Sequence, residues 1–431
     1  MPDIHLWSKD EIHVLQQLFI SKMLVLPSLV SLDIGLHHDV VFFIPALLSP
    51  KITTFITSIP WIEDEDEFLR LSLTLMESLP GITPNLQIFT MSPQIESGTP
   101  KSFFASSLRA LQGLSASLTS ISAPQCMFTF QNVLQLLSNT DSLTFLSIGI
   151  SNSSVPTVRL GPVYSQVRTL ELNVDLIGLA VKLVEALSLK CVTRLGFFVG
   201  PISNDKVRRL ALAVEGSCDA AALRDVSINV CRDSLQKTAA HPLVSDHALI
   251  PFLTFPNMTS FVIQSYRGIH VLLFELSPQF VRKMKTSWPK LCRLNLLRNK
   301  PFGTWVPDVK LVPDLLSLMS GCPKLCHIGL DLDYTCGEDL LYTAKLPPSI
   351  DRLVTIETGH APVAEPELLA AILSGCLPNA KTIYLWSLET KWTEFQRWFK
   401  MMKAVRLQER SSLLTTTGPE IVPKNQDNRS G

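Results

Sequence analysis

A six-residue frame recurs along this chain, with apolar residues at its first, fourth and sixth positions and mostly polar residues between them. The cleanest copy is Leu291–Leu296, LCRLNL, introduced by Trp288, Pro289 and Lys290. Side chains alternate across a strand, so this spacing suits a short strand with one face packed into a core. The frame appears at Leu29/Leu32/Ile34, Ile52/Phe55/Thr57, Leu86/Phe89/Met91, Leu118/Ile121/Ala123, Leu143/Leu146/Ile148 and Val167/Leu170/Leu172. It continues at Val192/Leu195/Phe197, Leu223/Val226/Ile228, Met258/Phe261/Ile263, Leu291/Leu294/Leu296, Leu325/Ile328/Leu330, Ile350/Leu353/Thr355 and Ala380/Ile383/Leu385. These thirteen frames recur with a mean period of about 29 residues, at the long end of the leucine-rich range.

Between frames the apolar period changes from two to about 3.6, which predicts helices. They are expected over Glu11–Leu24, Glu67–Leu79, Phe103–Leu114, Phe130–Leu137, Leu179–Leu189, Lys206–Val214, Phe280–Thr286, Asp314–Met319 and Glu367–Leu373. Many stop at a proline signal, as in SGCPKL at 320–325 and FPNM at 255–258. Proline removes a backbone donor and restricts the residue before it, so the helix ends and the chain turns extended. A strand–turn–helix–turn unit cannot bury its apolar stripe alone. Stacked units place the strands in one parallel sheet and the helices in an outer layer. The expected fold is therefore an α/β leucine-rich-repeat solenoid, a horseshoe with the sheet on the concave side and helices on the convex side.

The ends of such a stack need covering. Residues 1–25 are read as an N-terminal capping helix, 26–388 as the repeats, 389–410 as a C-terminal capping helix and 411–431 as a polar tail without periodicity. In the C-terminal helix Trp392, Phe395, Phe399 and Met402 recur at helical spacing, opposite Lys391, Arg397, Lys400, Lys403 and Arg406. Those cations form either the solvated side of a cap or a basic surface for a membrane or an acidic partner.

Composition narrows the partners. Hydrophobic residues make up 46% and charged residues 18%, with 38 basic and 38 acidic side chains. A protein that grips phosphates normally carries a basic excess, so nucleic acid is not expected. The nearly apolar run Val40–Leu48 is too short to cross a membrane and contains Pro45. The start, MPDIHLWSKDE, lacks a basic segment followed by an apolar one, so neither secretion nor a membrane anchor is expected. An intracellular chain, cytoplasmic or nuclear, would keep its nine cysteines reduced.

Candidate chemistry is sparse. The chain has no phosphate loop, dinucleotide fingerprint, nucleophile elbow or HExxH pair. Cys322, Cys326 and Cys336 come nearest to a metal cluster, but no second matching pair accompanies them. His37, His38 and Asp39 read as a turn. The acidic run Glu63–Glu67 reads as a helix start, where negative charge suits the dipole, or as a site for a cation or basic peptide. His360 and Glu357 lie close in sequence without a third catalytic partner. No catalytic residue, cofactor or metal is expected.

The stack does offer a broad face built from the third and fifth frame positions. Early frames present mainly small or neutral groups: Ser31, Thr54, Thr90, Ser120, Ser122 and Ser147. Later frames present Glu171, Arg194, Asp225, Arg293, Asn295, His327, Arg352 and Tyr384, with Trp386 one step further. Arg, Tyr and Trp dominate many interfaces, so Arg194, Asp225, Arg293, Asn295, His327, Arg352, Tyr384 and Trp386 are the expected partner-binding residues.

With strands spelled LxxLxL, helices ending in CPxL or LPxL and an irregular period, the chain resembles the leucine-rich-repeat part of F-box proteins. It looks most like the large set found in mushroom-forming fungi, over roughly residues 1–410. The resemblance implies a non-enzymatic recognition module whose concave face captures a protein substrate for a ubiquitin ligase. In that family an F-box binds Skp1 and thereby a cullin. The F-box pattern, near LPxEILxxIF, does not occur here, so Skp1 and cullin are expected partners only if an F-box lies upstream. The alternative is a stand-alone scaffold or regulator, like the repeat-built activators of small GTPases.

Overall fold

The computed structural model describes residues 28–35, 44–59, 65–93, 110–151, 163–231, 243–265, 273–296, 314–330, 350, 354–357, 363, 365–384 and 390–416. Within them thirteen strands join side by side in one sheet. In chain order they are β1 (Ser31–Gly35), β2 (Thr54–Ile59), β3 (Ile88–Pro93), β4 (Ser120–Phe128), β5 (Phe145–Ile150), β7 (Thr169–Val174) and β9 (Arg194–Val199). They continue as β10 (Asp225–Val230), β12 (Ser260–Ser265), β14 (Arg293–Leu296), β15 (His327–Leu330), β16 (Val354–Glu357) and β17 (Ala380–Tyr384). Two side sheets pair β6 (Val163–Tyr164) with β8 (Leu187–Ser188) and β11 (Leu243–Ser245) with β13 (Leu273–Glu275).

Strand order in the large sheet follows chain order, and the pairings are parallel. The frame explains the register. Fourth positions meet fourth positions, as in Leu32↔Phe55, Phe55↔Phe89, Leu170↔Leu195, Phe261↔Leu294 and Leu294↔Ile328. All of these residues are buried. A slip of one residue would turn each apolar set out of the core, so matching frames fix the alignment.

Where the chain enters the sheet, one carbonyl serves two donors of the next unit. Thr259 O accepts from Cys292 N at 2.7 Å and Arg293 N at 3.0 Å, and Cys292 O accepts from Cys326 N at 2.8 Å and His327 N at 3.1 Å. The same pair of bonds joins Val30 O to Thr53 and Thr54 near the other end. A carbonyl has two lone pairs, so this junction satisfies the entering backbone without side-chain help.

Helices fill many of the connections: α1 (Ile44–Leu47), α2 (Glu65–Ile82), α3 (Phe130–Asn139), α4 (Ile177–Ala186), α5 (Asn204–Ser217), α6 (Asp246–Leu249), α7 (Pro278–Ser287), α8 (Leu316–Gly321), α9 (Pro366–Cys376) and α10 (Thr390–Thr416). Their apolar stripes and the fourth and sixth strand positions form one continuous core. Around LCRLNL that core is aromatic. Trp288 is fully buried, stacks 5.0 Å from Phe261 and donates its indole N–H to Phe252 O at 3.2 Å.

Several expectations need correction. The helix expected to reach Leu189 ends at Ala186, because Leu187 and Ser188 pair instead with Val163 and Tyr164. The twelfth frame, expected at Ile350/Leu353/Thr355, is displaced by three residues. Val354 and Ile356 are buried, and Thr355 is half-buried in register with His327. The segment IDRLVTIE permits both spellings, and the observed one packs Ile356 at the core position rather than Thr355. β4 carries a bulge between Ala123 and Met127, and a Cβ at Gly149 would sit 2.8 Å from Cys126 O. Glycine is what allows β5 to pass beneath that bulge.

The C-terminal helix packs with Trp392 and Phe395 buried against α9 and Phe399 stacked on Phe395 at 5.7 Å. Lys403 belongs to this cap, since its Nζ donates to Ala380 O at 2.7 Å. α10 runs on to Thr416, six residues into the stretch read as a tail. The expected helix Glu11–Leu24, His37–Asp39, Cys336 and His360 lie outside the described residues. Among the described residues no helix is long and apolar enough to cross a membrane.

Candidate functional site

The site is built by β14, β15 and β16, from positions that face away from the helices. β14 supplies Arg293 and Asn295, β15 supplies His327 and Gly329, and β16 supplies Thr355 and Glu357. The register places Arg293 beside His327 and His327 beside Thr355, and one pair further on Asn295 beside Gly329 and Gly329 beside Glu357.

Gly329 is the residue that makes the cluster possible. Asn295 and Glu357 stand two strands apart, about 10 Å at the usual strand spacing, with only glycine between them. Over that gap Asn295 Nδ2 donates to Glu357 Oε2 at 3.3 Å. On the other carboxylate oxygen, His327 Nε2 lies 3.1 Å from Glu357 Oε1. The Nε2 atom is buried and has no well-aligned acceptor among the described residues. The contact is an ion pair when the imidazole is protonated.

Both carboxylate oxygens are thus engaged, and the environment favours the anion. The His327 imidazole holds the Glu357 carboxyl below its ordinary value of 4.5; burial opposes this, while the charge of Arg293 and the Asn295 amide support it. Asn295 is only 5% exposed because its neighbours close over it. Arg293 is exposed and makes no side-chain hydrogen bond among the described residues. The result is an ordered polar patch with one guanidinium available at its margin. Glu357 is occupied rather than poised to take a proton, and the cluster brings no nucleophile.

A second group lies further along the same face. Arg194 Nε is 3.4 Å from Asp225 Oδ2 on the adjacent strand. Asp225 Oδ1 also accepts from Thr259 Oγ1 at 2.5 Å. With the arginine side chain 59% exposed, solvent screens this pair and it adds little to stability. Deeper along the strands Gln264 Nε2 donates to Asn229 Oδ1 at 2.9 Å.

Of the residues expected to bind a partner, the structure gathers Arg293, Asn295 and His327 into one cluster and joins Arg194 to Asp225. Tyr384 is in register with Glu357 on β17, while its side chain, Arg352 and Trp386 lie outside the described residues. The displaced frame puts Thr355 and Glu357 at the face positions of β16. Glu357 and Gly329 were missed. The available signals were the second spelling in LVTIE and a glycine at a face position of LCHIGL.

Cys322 and Cys326 do not form a pair of ligands. Cys322 is buried and donates to Trp288 O, whereas Cys326 is exposed at the strand entrance. Among the described residues no group of three His, Cys, Asp or Glu could hold a metal ion. Burial pushes the thiols of Cys126 and Cys218 up to about 12, which suits packed rather than reactive cysteines. No family model matches the chain, and no curated protein matches it in sequence.

Proposed function

We propose that this chain is a non-enzymatic protein-recognition module of the leucine-rich-repeat type, a horseshoe whose sheet face captures a protein partner over its C-terminal half. The observation that carries the proposal is the Arg293–Asn295–His327–Glu357 cluster. Three polar side chains from three strands, Asn295, His327 and Glu357, are held together at a surface where core packing does not require them, with the Arg293 guanidinium beside them. Fixed groups lose little freedom on binding, so such a patch discriminates partners by shape and charge.

The resemblance to F-box repeat proteins makes a ubiquitin-ligase substrate the specific partner proposed. Co-purification from cells of the source organism, read for Skp1 and cullin, tests this. Both are expected with the protein if it acts in a ligase. Their absence from a preparation that retains another partner favours the stand-alone scaffold. Arg293→Glu combined with Glu357→Lys inverts the patch while leaving the core alone, and is expected to abolish capture of that partner. Unchanged capture by a folded double variant refutes the assignment of the face.

A further inference from the structure

The edge at which the strands begin carries a second feature, which shares Arg293 with the Glu357 cluster. Arg168 and Arg224 immediately precede β7 and β10, and Arg194 and Arg293 open β9 and β14. Lys190, Lys290 and Lys324 lie in the turns leading into β9, β14 and β15. All of these side chains belong to exposed residues. Arg194 is paired with Asp225, and Lys290 Nζ is held by Asn257 Oδ1 at 2.6 Å. Arg168, Arg224, Arg293 and Lys324 make no side-chain hydrogen bond or ion pair among the described residues. Asp219 is the other carboxylate at these turns, and its Oδ1 accepts from Ala221 N at 2.9 Å.

The chain as a whole has equal numbers of acidic and basic side chains, so this rim is a local segregation of charge. We propose that it is a docking surface for an extended acidic protein segment lying across the strand entrances. From β7 to β15 the rim crosses five strand spacings, about 24 Å, which an extended segment of about seven residues spans. Arginines favour carboxylates, which they bind through two parallel N–H bonds. The rim positions that carry the cations offer no aromatic ring on which bases could stack, and this favours a peptide over a single-stranded nucleic acid. The proposal rests on the recognition reading only in taking the partner to be a protein.

The test uses the full chain and a fluorescein-labelled heptaglutamate peptide with blocked ends, followed by anisotropy at low ionic strength. Binding is expected, and it should weaken as salt rises. The triple variant Arg168→Glu, Arg224→Glu, Lys324→Glu should lower affinity by about tenfold or more. Glutamine at the same three sites should lower it less, and Arg168→Lys with Arg224→Lys should retain it. Circular dichroism melting checks the fold, and the glutamine set serves if the triple reversal does not fold. The proposal is overturned if the wild type does not bind, or if folded rim variants bind as the wild type does. Tighter binding of an oligothymidylate of matched length also overturns it. Glu357→Gln alters no rim residue and leaves the peptide affinity unchanged, so loss of partner capture in that single variant, unlike in one that also changes Arg293, reports on the face and not on the rim.

Discussion

The faces of β1–β5 and β12–β16 share one construction and differ in what they display. In both, the fourth-position ladder is buried: Leu32, Phe55, Phe89, Ile121 and Leu146 in the first, Phe261, Leu294, Ile328 and Ile356 in the second. On the opposite face the first region presents mainly short or apolar groups, such as Thr54, Ile88, Ser120, Ser122 and Phe145. The second joins Asn295, His327 and Glu357 across three strands. The difference separates two demands on one repeat. Packing fixes the inner positions of every unit, while the outer positions can vary without loss of the stack, so it is the outer positions that the proposed recognition function would draw on.

If that division holds, a core break should be equally severe in both regions. Leu294→Asp and Leu146→Asp each place an unpaired charge in a fully buried ladder. Each is expected to destabilise by more than the roughly 2–5 kcal/mol of a Leu→Ala truncation. Hydrogen exchange should show the loss spreading to the neighbouring strands first, because each unit contacts mainly its neighbours. Near-wild-type melting of either variant would contradict the register.

On the outer face the two regions should respond differently. Gly329→Val puts branched carbons between Asn295 and Glu357 and is expected to cost about 1–3 kcal/mol by parting buried polar partners. Ser122→Val, at the equivalent position of β4, should stay within about 0.5 kcal/mol. Equal effects in urea unfolding would remove the distinction. The acid response gives a finer test. Because the folded Glu357 carboxyl titrates below its ordinary 4.5, its contribution is complete above that value. It is lost as pH falls through the lower folded value. Glu357→Gln should therefore flatten the acid limb of the stability curve below about pH 4.5 and leave the neutral region less affected; an unaltered limb would show that the His327 contact is not held in solution.

The smallest expected effect lies in the first region. Thr57 occupies a sixth position and is completely buried, and its hydroxyl has no hydrogen-bond partner among the described residues. Thr57→Val keeps the shape and removes the stranded hydroxyl, so thermal unfolding should show a gain of about 1 kcal/mol. No gain would mean that the site is not as dry as the packing indicates.

The sequence by itself determined the repeat, because burial of a strand face requires a period of two, and that period is written in the apolar residues. It placed twelve of the thirteen strands of the sheet and the buried leucines of LCRLNL. It also named Arg293, Asn295 and His327 among eight residues of the outward face. It did not determine the twelfth register, since IDRLVTIE satisfies two frames and only packing against β15 and β17 selects one. The Glu357 cluster depended on that selection. A hydrogen bond between residues 62 positions apart is invisible to any local pattern. It exists because the stack brings Asn295 and Glu357 to either side of a glycine. Local alternation specifies which residues go inside; only the assembled sheet decides which outward residues meet.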